Sequence, residues 1–212
     1  NTAGMDDASG QGGGIQNNGA LVLNGIVVVN NTAFNGAGVN STGVMSATFS
    51  DFIDNATSNV PNGENSGGGL RLSGPTSLSR SSVARNTAKT GAGIFSAGPL
   101  TLTNVTVSSN AAHGMYLKAG ARIEYTTIYS NATSGIEAIP SGGAFQVALR
   151  GNIIAAGGCA FTPVTAAIVS EGYNLSDGAG TDCGLGATGD VTFADPLLQA
   201  LDNEGGSQTF HH

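Results

Sequence analysis

The chain has 212 residues and a formal net charge of −7, and only 10% of its residues are charged. A chain this acidic and this poor in lysine and arginine argues against a nucleic-acid partner, and no apolar run approaches the length of a membrane span. Glycine contributes 34 residues without the three-residue period of collagen, and the length fits one large all-β domain.

Two sequence markers recur together along the first two thirds of the chain. The first is a glycine followed by an apolar residue, at spacings of 24, 31, 24, 21 and 21: Gly14-Ile15, Gly38-Val39, Gly69-Leu70, Gly93-Ile94, Gly114-Met115 and Gly135-Ile136. The second is an asparagine that ends each strand-like run, at spacings of 24, 31, 24 and 21: Asn31, Asn55, Asn86, Asn110 and Asn131. Both series share one long step, which an insertion at 58–66 explains, so the period is structural.

Each unit alternates in the manner of a β-strand. The residues eight and three positions before the asparagine are apolar in every unit: Leu23, Ala47, Leu78, Leu102 and Ile123, then Val28, Phe52, Val83, Val107 and Ile128. Polar residues fill the position seven before it. The pattern predicts two inward-facing columns with a break in the strand alternation between them, and the wealth of glycine and β-branched residues disfavours helices.

Units of 21 to 24 residues with short strands and glycine-rich corners predict an all-β fold, a parallel β-helix (solenoid) of about six coils stacked about 4.8 Å apart. We expect the repeated asparagines at a corner, where asparagine tolerates left-handed dihedrals and stacked amides form a hydrogen-bonded ladder. The whole chain, 1–212, is assigned to one domain, with repeating coils over 1–156 and an irregular capping region over 157–212.

The capping region contains both cysteines of the chain, Cys159 and Cys183. A disulfide between them would close a loop of about 25 residues and stabilise the fold by about 3 kcal/mol in the chain-entropy model. Such a bond implies an oxidising compartment, extracellular, at the cell surface or periplasmic; two buried free thiols are the alternative. We expect irregular chain in this region to cover the open end of the last coil.

Three segments carry a family resemblance: GGGIQNNGALVLNGIVVVNNTA, TGAGIFSAGPLTLTNVTVSSNAA, and GNIIAAGGCAF with EGYNL and DPLL further on. They resemble the bacterial choice-of-anchor Q domain proteins, which are similar in turn to polymorphic outer-membrane-protein-like and pectate-lyase-like β-helices. The resemblance implies a right-handed parallel β-helix and a secreted or surface-attached, adhesin-like module. Members of the family mostly have no established activity.

Stacked carboxylates would indicate an enzyme that cleaves acidic polysaccharides, because such enzymes need them to hold Ca²⁺ or to act as an acid and base pair. The columns one, four and seven residues before the asparagine contain only single acids, Asp54, Asp51 and Glu124. The sequence therefore predicts no catalytic residues and no enzyme. A polysaccharide lyase or hydrolase whose site is incomplete in this fragment is the alternative.

Asp6, Asp7 and Glu64 are the candidate metal ligands, because they flank equivalent corners two coils apart. Ca²⁺ is accordingly the one cofactor left open, and solvated loop charges are the alternative. His113 has no serine, cysteine or metal-ligand partner at a useful spacing, so we expect it in a surface turn. Asp54 and Arg85 share a column and are expected to form a weak surface ion pair.

The glycan-binding candidates are arginines and tyrosines that stand out on a surface poor in charge and aromatic rings: Arg80, Arg122, Tyr116, Tyr125 and Tyr129. For Tyr125 and Tyr129, stacking between coils is the alternative. Paired hydroxyls on three coils make ice binding a remote alternative: Ser46 and Thr48, Ser77 and Ser79, Thr101 and Thr103.

The sequence is interpreted as a non-enzymatic extracellular or cell-surface β-helix, structural or adhesive, with a polysaccharide or another surface protein as the partner considered. His211 and His212 are interpreted either as native residues or as the end of a purification tag.

Overall fold

The computed structural model describes residues 2–3, 10–58, 64–140, 143–161, 166–178 and 183–200, and these ranges contain strands and no helix. All strand pairs among them are parallel. A three-stranded sheet contains β1 (Thr2–Ala3), β5 (Thr32–Ala33) and β9 (Ala56–Thr57). A seven-stranded sheet contains β2 (Ile15–Asn17), β6 (Val39–Ser41), β10 (Leu70–Leu72), β12 (Ile94–Ser96), β14 (Met115–Leu117), β17 (Ile136–Ala138) and β20 (Cys159–Phe161).

The third and largest sheet has 13 strands, in which most coils contribute two segments. The strands before the middle of the chain are β3 (Ala20–Asn24), β4 (Val27–Val29), β7 (Val44–Thr48), β8 (Asp51–Ile53), β11 (Thr76–Ala84) and β13 (Leu100–Ser108). Those after it are β15 (Ala121–Glu124), β16 (Thr127–Tyr129), β18 (Phe145–Arg150), β19 (Ile153–Ala155), β21 (Ala166–Ser170), β22 (Leu175–Ser176) and β23 (Val191–Thr192).

Each pass of the chain around the coil adds one strand to the seven-stranded sheet. Seven successive strands are separated by six passes, so the fold has about six turns. The prediction of an all-β parallel β-helix of about six coils is confirmed. Strand stacking also continues past the boundary predicted at residue 157, because β20 pairs with β17 and β21 pairs with β18. The disulfide between Cys159 and Cys183 is present at this end.

The main hydrophobic core lies inside the coils and consists of stacked columns of side chains. Both columns predicted to face inward are buried, from Leu23 to Ile123 and from Val28 to Ile128. A third column comes from the strands that begin at the glycine marker, and it is fully buried: Val39, Leu70, Ile94, Met115 and Ile136. Because each coil covers the apolar residues of the next, burial of these side chains drives the stacking.

The predicted asparagine ladder is confirmed at all five positions. The Nδ2 groups of the first four donate to the Oδ1 atom of the asparagine one coil on, at 2.9 Å from Asn31 to Asn55, 3.1 Å from Asn55 to Asn86, 3.1 Å from Asn86 to Asn110 and 2.9 Å from Asn110 to Asn131. Each of these four Oδ1 acceptors also accepts the main-chain N–H of the preceding asparagine. The ladder therefore satisfies a buried backbone donor at this corner in four successive coils.

One of the two expected reasons for asparagine at this corner, its tolerance of left-handed dihedrals, is wrong. The left-handed residue is the one before each ladder asparagine, with φ between 52° and 56°: Asn30, Asp54, Arg85, Ser109 and Ser130. The ladder asparagines themselves do not have positive φ. They are selected because an amide both donates and accepts, so it can bond to the coils on both sides.

A second ladder, which sequence reasoning missed, supports the C-terminal coils. Asn152 donates to the Oδ1 atom of Asn174 at 3.0 Å, and Asn174 donates to the Oδ1 atom of Asp190 at 3.1 Å. These residues occupy the bend between the two segments of the largest sheet, where Ser50 and Ser81 lie in earlier coils. The markers that fade after residue 152 are thus replaced by a ladder at another corner.

Glycine in the repeated marker is required by close stacking. A Cβ atom added at Gly69 would lie 2.8 Å from the carbonyl oxygen of Gly93 in the next coil. The equivalent oxygen faces the other marker glycines in the same way, and none of them has positive φ. A side chain here would push two coils apart, so glycine recurs at this position because neighbouring coils approach each other closely.

Candidate functional site

The outer face of the seven-stranded sheet presents one side chain per coil in a continuous row. The middle residues of β2 to β17 are in register, and neighbouring positions along the row are one strand spacing apart, about 4.8 Å. From the N-terminal to the C-terminal end the row is Gln16, Asn40, Arg71, Phe95, Tyr116 and Glu137. The row changes from amide to cation to aromatic ring to carboxylate along the rod.

Two stacked rings form the centre of this row. The centroids of Phe95 and Tyr116 are 5.7 Å apart and their planes differ by 8°. The Arg71 guanidinium carbon lies 5.7 Å from the Phe95 centroid, and the Lys118 ammonium lies 5.2 Å from it. Phe95 is buried and Tyr116 is half-buried, so Tyr116 offers the accessible aromatic surface and Phe95 supports it.

A cavity of about 200 Å³ opens beside the two rings. Its lining residues come from three coils: Glu64, Ser66, Lys89, Thr90, Phe95, Tyr116 and Lys118. A neighbouring cavity of about 260 Å³ shares Lys89 with it and is otherwise lined by Thr57, Asn65, Thr87 and Ala88. We call the first the ring cavity and the second the threonine cavity. Both are smaller than a typical drug site of about 300–1,000 Å³, so each suits one residue of a longer ligand.

The Arg71 side chain is held in place at one edge of the ring cavity. It donates from Nε to the Ser66 hydroxyl at 3.2 Å, from Nη1 to Asn40 Oδ1 at 3.4 Å and from Nη2 to Glu64 Oε2 at 3.3 Å. Its side chain is only 19% exposed, whereas that of Glu64 is 65% exposed. The guanidinium is therefore fixed against Phe95 by three acceptors, and Glu64 neutralises it from the solvent side.

A histidine supports the other edge. His113 Nε2 lies 2.6 Å from Glu137 Oε2, and His113 Nδ1 accepts the main-chain N–H of Gly91 at 3.3 Å. These partners assign the proton to Nε2 and leave the imidazole neutral. Burial lowers the pKa of His113, against the opposing effect of the Glu137 carboxylate. The imidazole edge meets Tyr116 at 5.3 Å between centroids, so the histidine fixes the tyrosine ring.

His113 is thus more constrained than the expected surface turn. Its side chain is 13% exposed and it pairs with a carboxylate one coil away. Because one ring nitrogen donates to Glu137 and the other accepts from Gly91, neither is free to take a proton from a ligand. Burial and the Glu137 charge also raise the pKa of Tyr116, so the tyrosine is a neutral ring at physiological pH.

Of the five glycan candidates, the structure brings Tyr116 to the ring cavity and separates the other four from it. Arg80 lies at the bend of the largest sheet, with its guanidinium carbon 5.3 Å from the Phe49 centroid. Tyr125 occupies the equivalent bend two coils on, and its ring lies against Gly151, where an added Cβ would be 2.7 Å from the tyrosine Cδ1 atom. The alternative of stacking between coils is therefore the observed arrangement for Tyr125.

Arg122 and Tyr129 belong to other surfaces. Arg122 Nη2 lies 2.8 Å from Glu124 Oε1 and 2.7 Å from Glu171 Oε2, so two carboxylates already occupy its guanidinium. Tyr129 lies in β16 of the largest sheet, in register with a serine and an alanine of the neighbouring coils. The expected ion pair between Asp54 and Arg85 is present, with both contacts at 3.0 Å.

The metal candidates do not meet in the described part of the chain. Asp6 and Asp7 lie outside the described residues, and Glu64 pairs with Arg71. Within the described ranges, no group of three or more histidine, cysteine, aspartate or glutamate side chains is placed to hold a metal ion. His211 and His212 also lie outside the described residues.

The hydroxyl pairs considered for ice binding do lie in register on three neighbouring coils, because Ser46 pairs with Ser77 and Ser77 with Thr101. The row ends at Val22 on one side and at Arg122 on the other. Three rungs thus make a small plane on the largest sheet, away from the ring cavity.

Sequence reasoning missed Phe95, Lys89, Lys118 and the pairing of His113 with Glu137. A signal was available for the row, because each of its members follows the Gly–apolar marker directly: Gln16, Asn40, Arg71, Phe95, Tyr116 and Glu137. Reading the residue after the marker as an outward column would have placed the two rings on adjacent coils. The lysines lie in loops between markers, where the period predicts no position.

A family model describing a right-handed β-helix region matches residues 13–176, more than three quarters of the chain. Neither a search of curated proteins nor a search of solved structures finds a match. No helix in the described ranges is long and apolar enough to cross a membrane.

Proposed function

Because the chain belongs to the right-handed β-helix family, we propose that it is a non-enzymatic surface module that binds glycan at the ring cavity. One observation carries the proposal: a stacked aromatic pair lines a small cavity whose other walls are polar and charged. An apolar ring face takes up the C–H face of a sugar, while surrounding hydroxyl, amide and ammonium groups bond to its hydroxyls. The adjoining threonine cavity supplies room for a second sugar residue.

An extracellular or cell-surface location is part of this proposal. The disulfide between Cys159 and Cys183 supports it, because disulfides persist in oxidising compartments. The surface is also poor in charge and its backbone donors are bonded along the stack, which suits a stiff module that resists proteolysis.

Binding without cleavage is proposed because the ionisable partners near the cavity are engaged. The right-handed β-helix family includes both enzymes and non-enzymes. Here Glu64 pairs with Arg71 and Glu137 pairs with His113, whereas glycoside hydrolysis needs two carboxylates that face the scissile bond. The groups beside the rings are therefore arranged to hold a ligand.

The test is affinity-gel electrophoresis against a panel of neutral and acidic polysaccharides, combined with an assay for new chain ends. The wild-type protein should be retarded by at least one polysaccharide without producing new ends. Tyr116→Ala should weaken that retardation about tenfold, because the accessible ring is lost, and Tyr116→Phe should retain it. Tyr125→Ala, which removes an exposed tyrosine away from the cavity, is the matched control and should behave as wild type.

Three results would overturn the proposal. Absence of retardation by every polysaccharide would leave a structural rod with protein partners. An equal effect of Tyr116→Ala and Tyr125→Ala would move the site away from the ring cavity. New chain ends would establish a polysaccharide-degrading enzyme, which is the alternative function.

A further inference from the structure

The two lysines of the chain, Lys89 and Lys118, both line the ring cavity. They are 29 residues apart and come from different coils, so only the stacking brings them together. Arg71 reaches the same Phe95 ring, so three of the seven cationic side chains of the protein converge here. In a chain of net charge −7, this concentration makes the cavity a local positive site.

The two lysines form no ion pair with the carboxylates that the structure describes. Among the described residues, no carboxylate oxygen lies within 4.0 Å of either ammonium group. The two nearby carboxylates have other partners, since Glu64 pairs with Arg71 and Glu137 with His113. The two ammonium groups beside the aromatic pair can therefore form ion pairs with an anionic group of a ligand.

We infer that the ligand of the ring cavity is an anionic sugar, whose carboxylate or sulfate group bonds to Lys89 and Lys118 while its ring lies on Tyr116. This inference rests on the proposed glycan-binding function and names the substrate class. An ammonium group is a compact point charge with three donors, so it accepts either anion. Both lysines line the same cavity as Tyr116, so each can pair with a charged substituent of a sugar that lies on the tyrosine ring.

This arrangement has two consequences for binding. The lysines supply the charge that a divalent cation would otherwise bring, so binding persists in EDTA. The ion pairs are partly exposed, because Lys89 is exposed and Lys118 is half-buried, so binding weakens as salt rises above about 0.1 M.

The experiment measures dissociation constants for three fluorescently labelled oligosaccharides of one backbone: galactose, galacturonic acid and sulfated galactose. All measurements are made at low salt in EDTA. The wild-type protein should bind at least one of the charged probes about tenfold more tightly than the neutral one. Lys89→Gln and Lys118→Gln should each weaken binding of the charged probe about three- to tenfold and weaken binding of the neutral probe by a clearly smaller factor.

Two further variants control for charge and folding. Arg150→Gln removes a positive charge from an exposed position in β18 on the other sheet and should change nothing. Lys118→Arg keeps the charge and should retain most of the affinity for the charged probe. Thermal unfolding of each variant confirms that the folded protein is being compared.

The outcomes distinguish the inference from the function on which it rests. If the neutral probe binds as tightly as both charged probes, or if the lysine variants match Arg150→Gln, the anionic inference fails and glycan binding stands. If no probe binds and the polysaccharide panel is also negative, the proposed function fails. Preference for the carboxylated or for the sulfated probe identifies the anion, and either preference supports the inference.

Discussion

Replacing Asn86 with alanine tests whether the asparagine ladder stabilises the stack. Asn86 is fully buried, and its side chain takes part in four hydrogen bonds. It donates to the carbonyl oxygen of Phe52 at 2.8 Å and to Asn110 Oδ1 at 3.1 Å. It accepts from the main-chain N–H of Asn55 at 3.0 Å and from its Nδ2 group at 3.1 Å.

The expected loss follows from the partners that the variant leaves behind. The main-chain N–H of Asn55 and the carbonyl oxygen of Phe52 would each lose this side-chain partner in a buried environment, at about 1–3 kcal/mol apiece. The Asn55 Nδ2 group would lose little, because it also donates to Val28 and Ile53 carbonyl oxygens. We therefore expect Asn86→Ala to lower the free energy of unfolding by about 3–5 kcal/mol.

Chemical denaturation followed by circular dichroism measures this change. The matched control is Asn18→Ala, which removes an exposed asparagine that accepts from Gln16 and Thr42 at 3.0 Å. An exposed site of this kind should lose no more than about 0.5 kcal/mol. A loss below about 1 kcal/mol for Asn86→Ala, or a loss equal to the control, would show that the ladder is a consequence of stacking and contributes little to it.

Three further changes are expected to alter stability, each measured by the same denaturation assay. Gly69→Ala should lower the free energy of unfolding by about 1–3 kcal/mol, because its Cβ would meet the next coil, while Gly19→Ala, which has open space, should be neutral. Replacing Cys159 and Cys183 with serine should cost about 2–4 kcal/mol, and an effect that persists under reducing conditions would contradict this. Burial raises the pKa of Asp51 to about 6, from 3.8, so the charged carboxylate destabilises the fold above pH 6 and this penalty disappears as the pH falls toward 4. Asp51→Asn should therefore raise the free energy of unfolding by up to about 3 kcal/mol at pH 8 and by little at pH 4. Equal gains at both pH values would show that Asp51 does not titrate in this way.

The repeat could be predicted because its causes are local and recur at a fixed period. A column such as Leu78, Leu102 and Ile123 must be apolar since each member covers the next, and a buried amide ladder needs asparagine at every step. Both requirements act on single positions of each coil, so they remain visible in the sequence despite the insertion at 58–66.

The second ladder and the ring cavity could not be predicted in this way. The ladder through Asn152, Asn174 and Asp190 changes corner and mixes amide with carboxylate, so no single residue type repeats. The cavity depends on Lys89 and Lys118, whose loops lie outside the periodic positions. Their convergence follows from the register of neighbouring coils, which is a property of the folded stack.

The insertion shows how this fold acquires a site without disturbing its core. It lengthens one coil to 31 residues, yet Asn55 still donates to Asn86 at 3.1 Å across it. The ladder closes the corner on both sides of the insertion, so the coils that flank it keep their stacking. Its last residues provide Glu64 and Ser66, which hold Arg71 against the aromatic pair and form one wall of the ring cavity. Stability thus resides in the inward columns and ladder, and specificity in outward residues and loops that can change at little cost to folding.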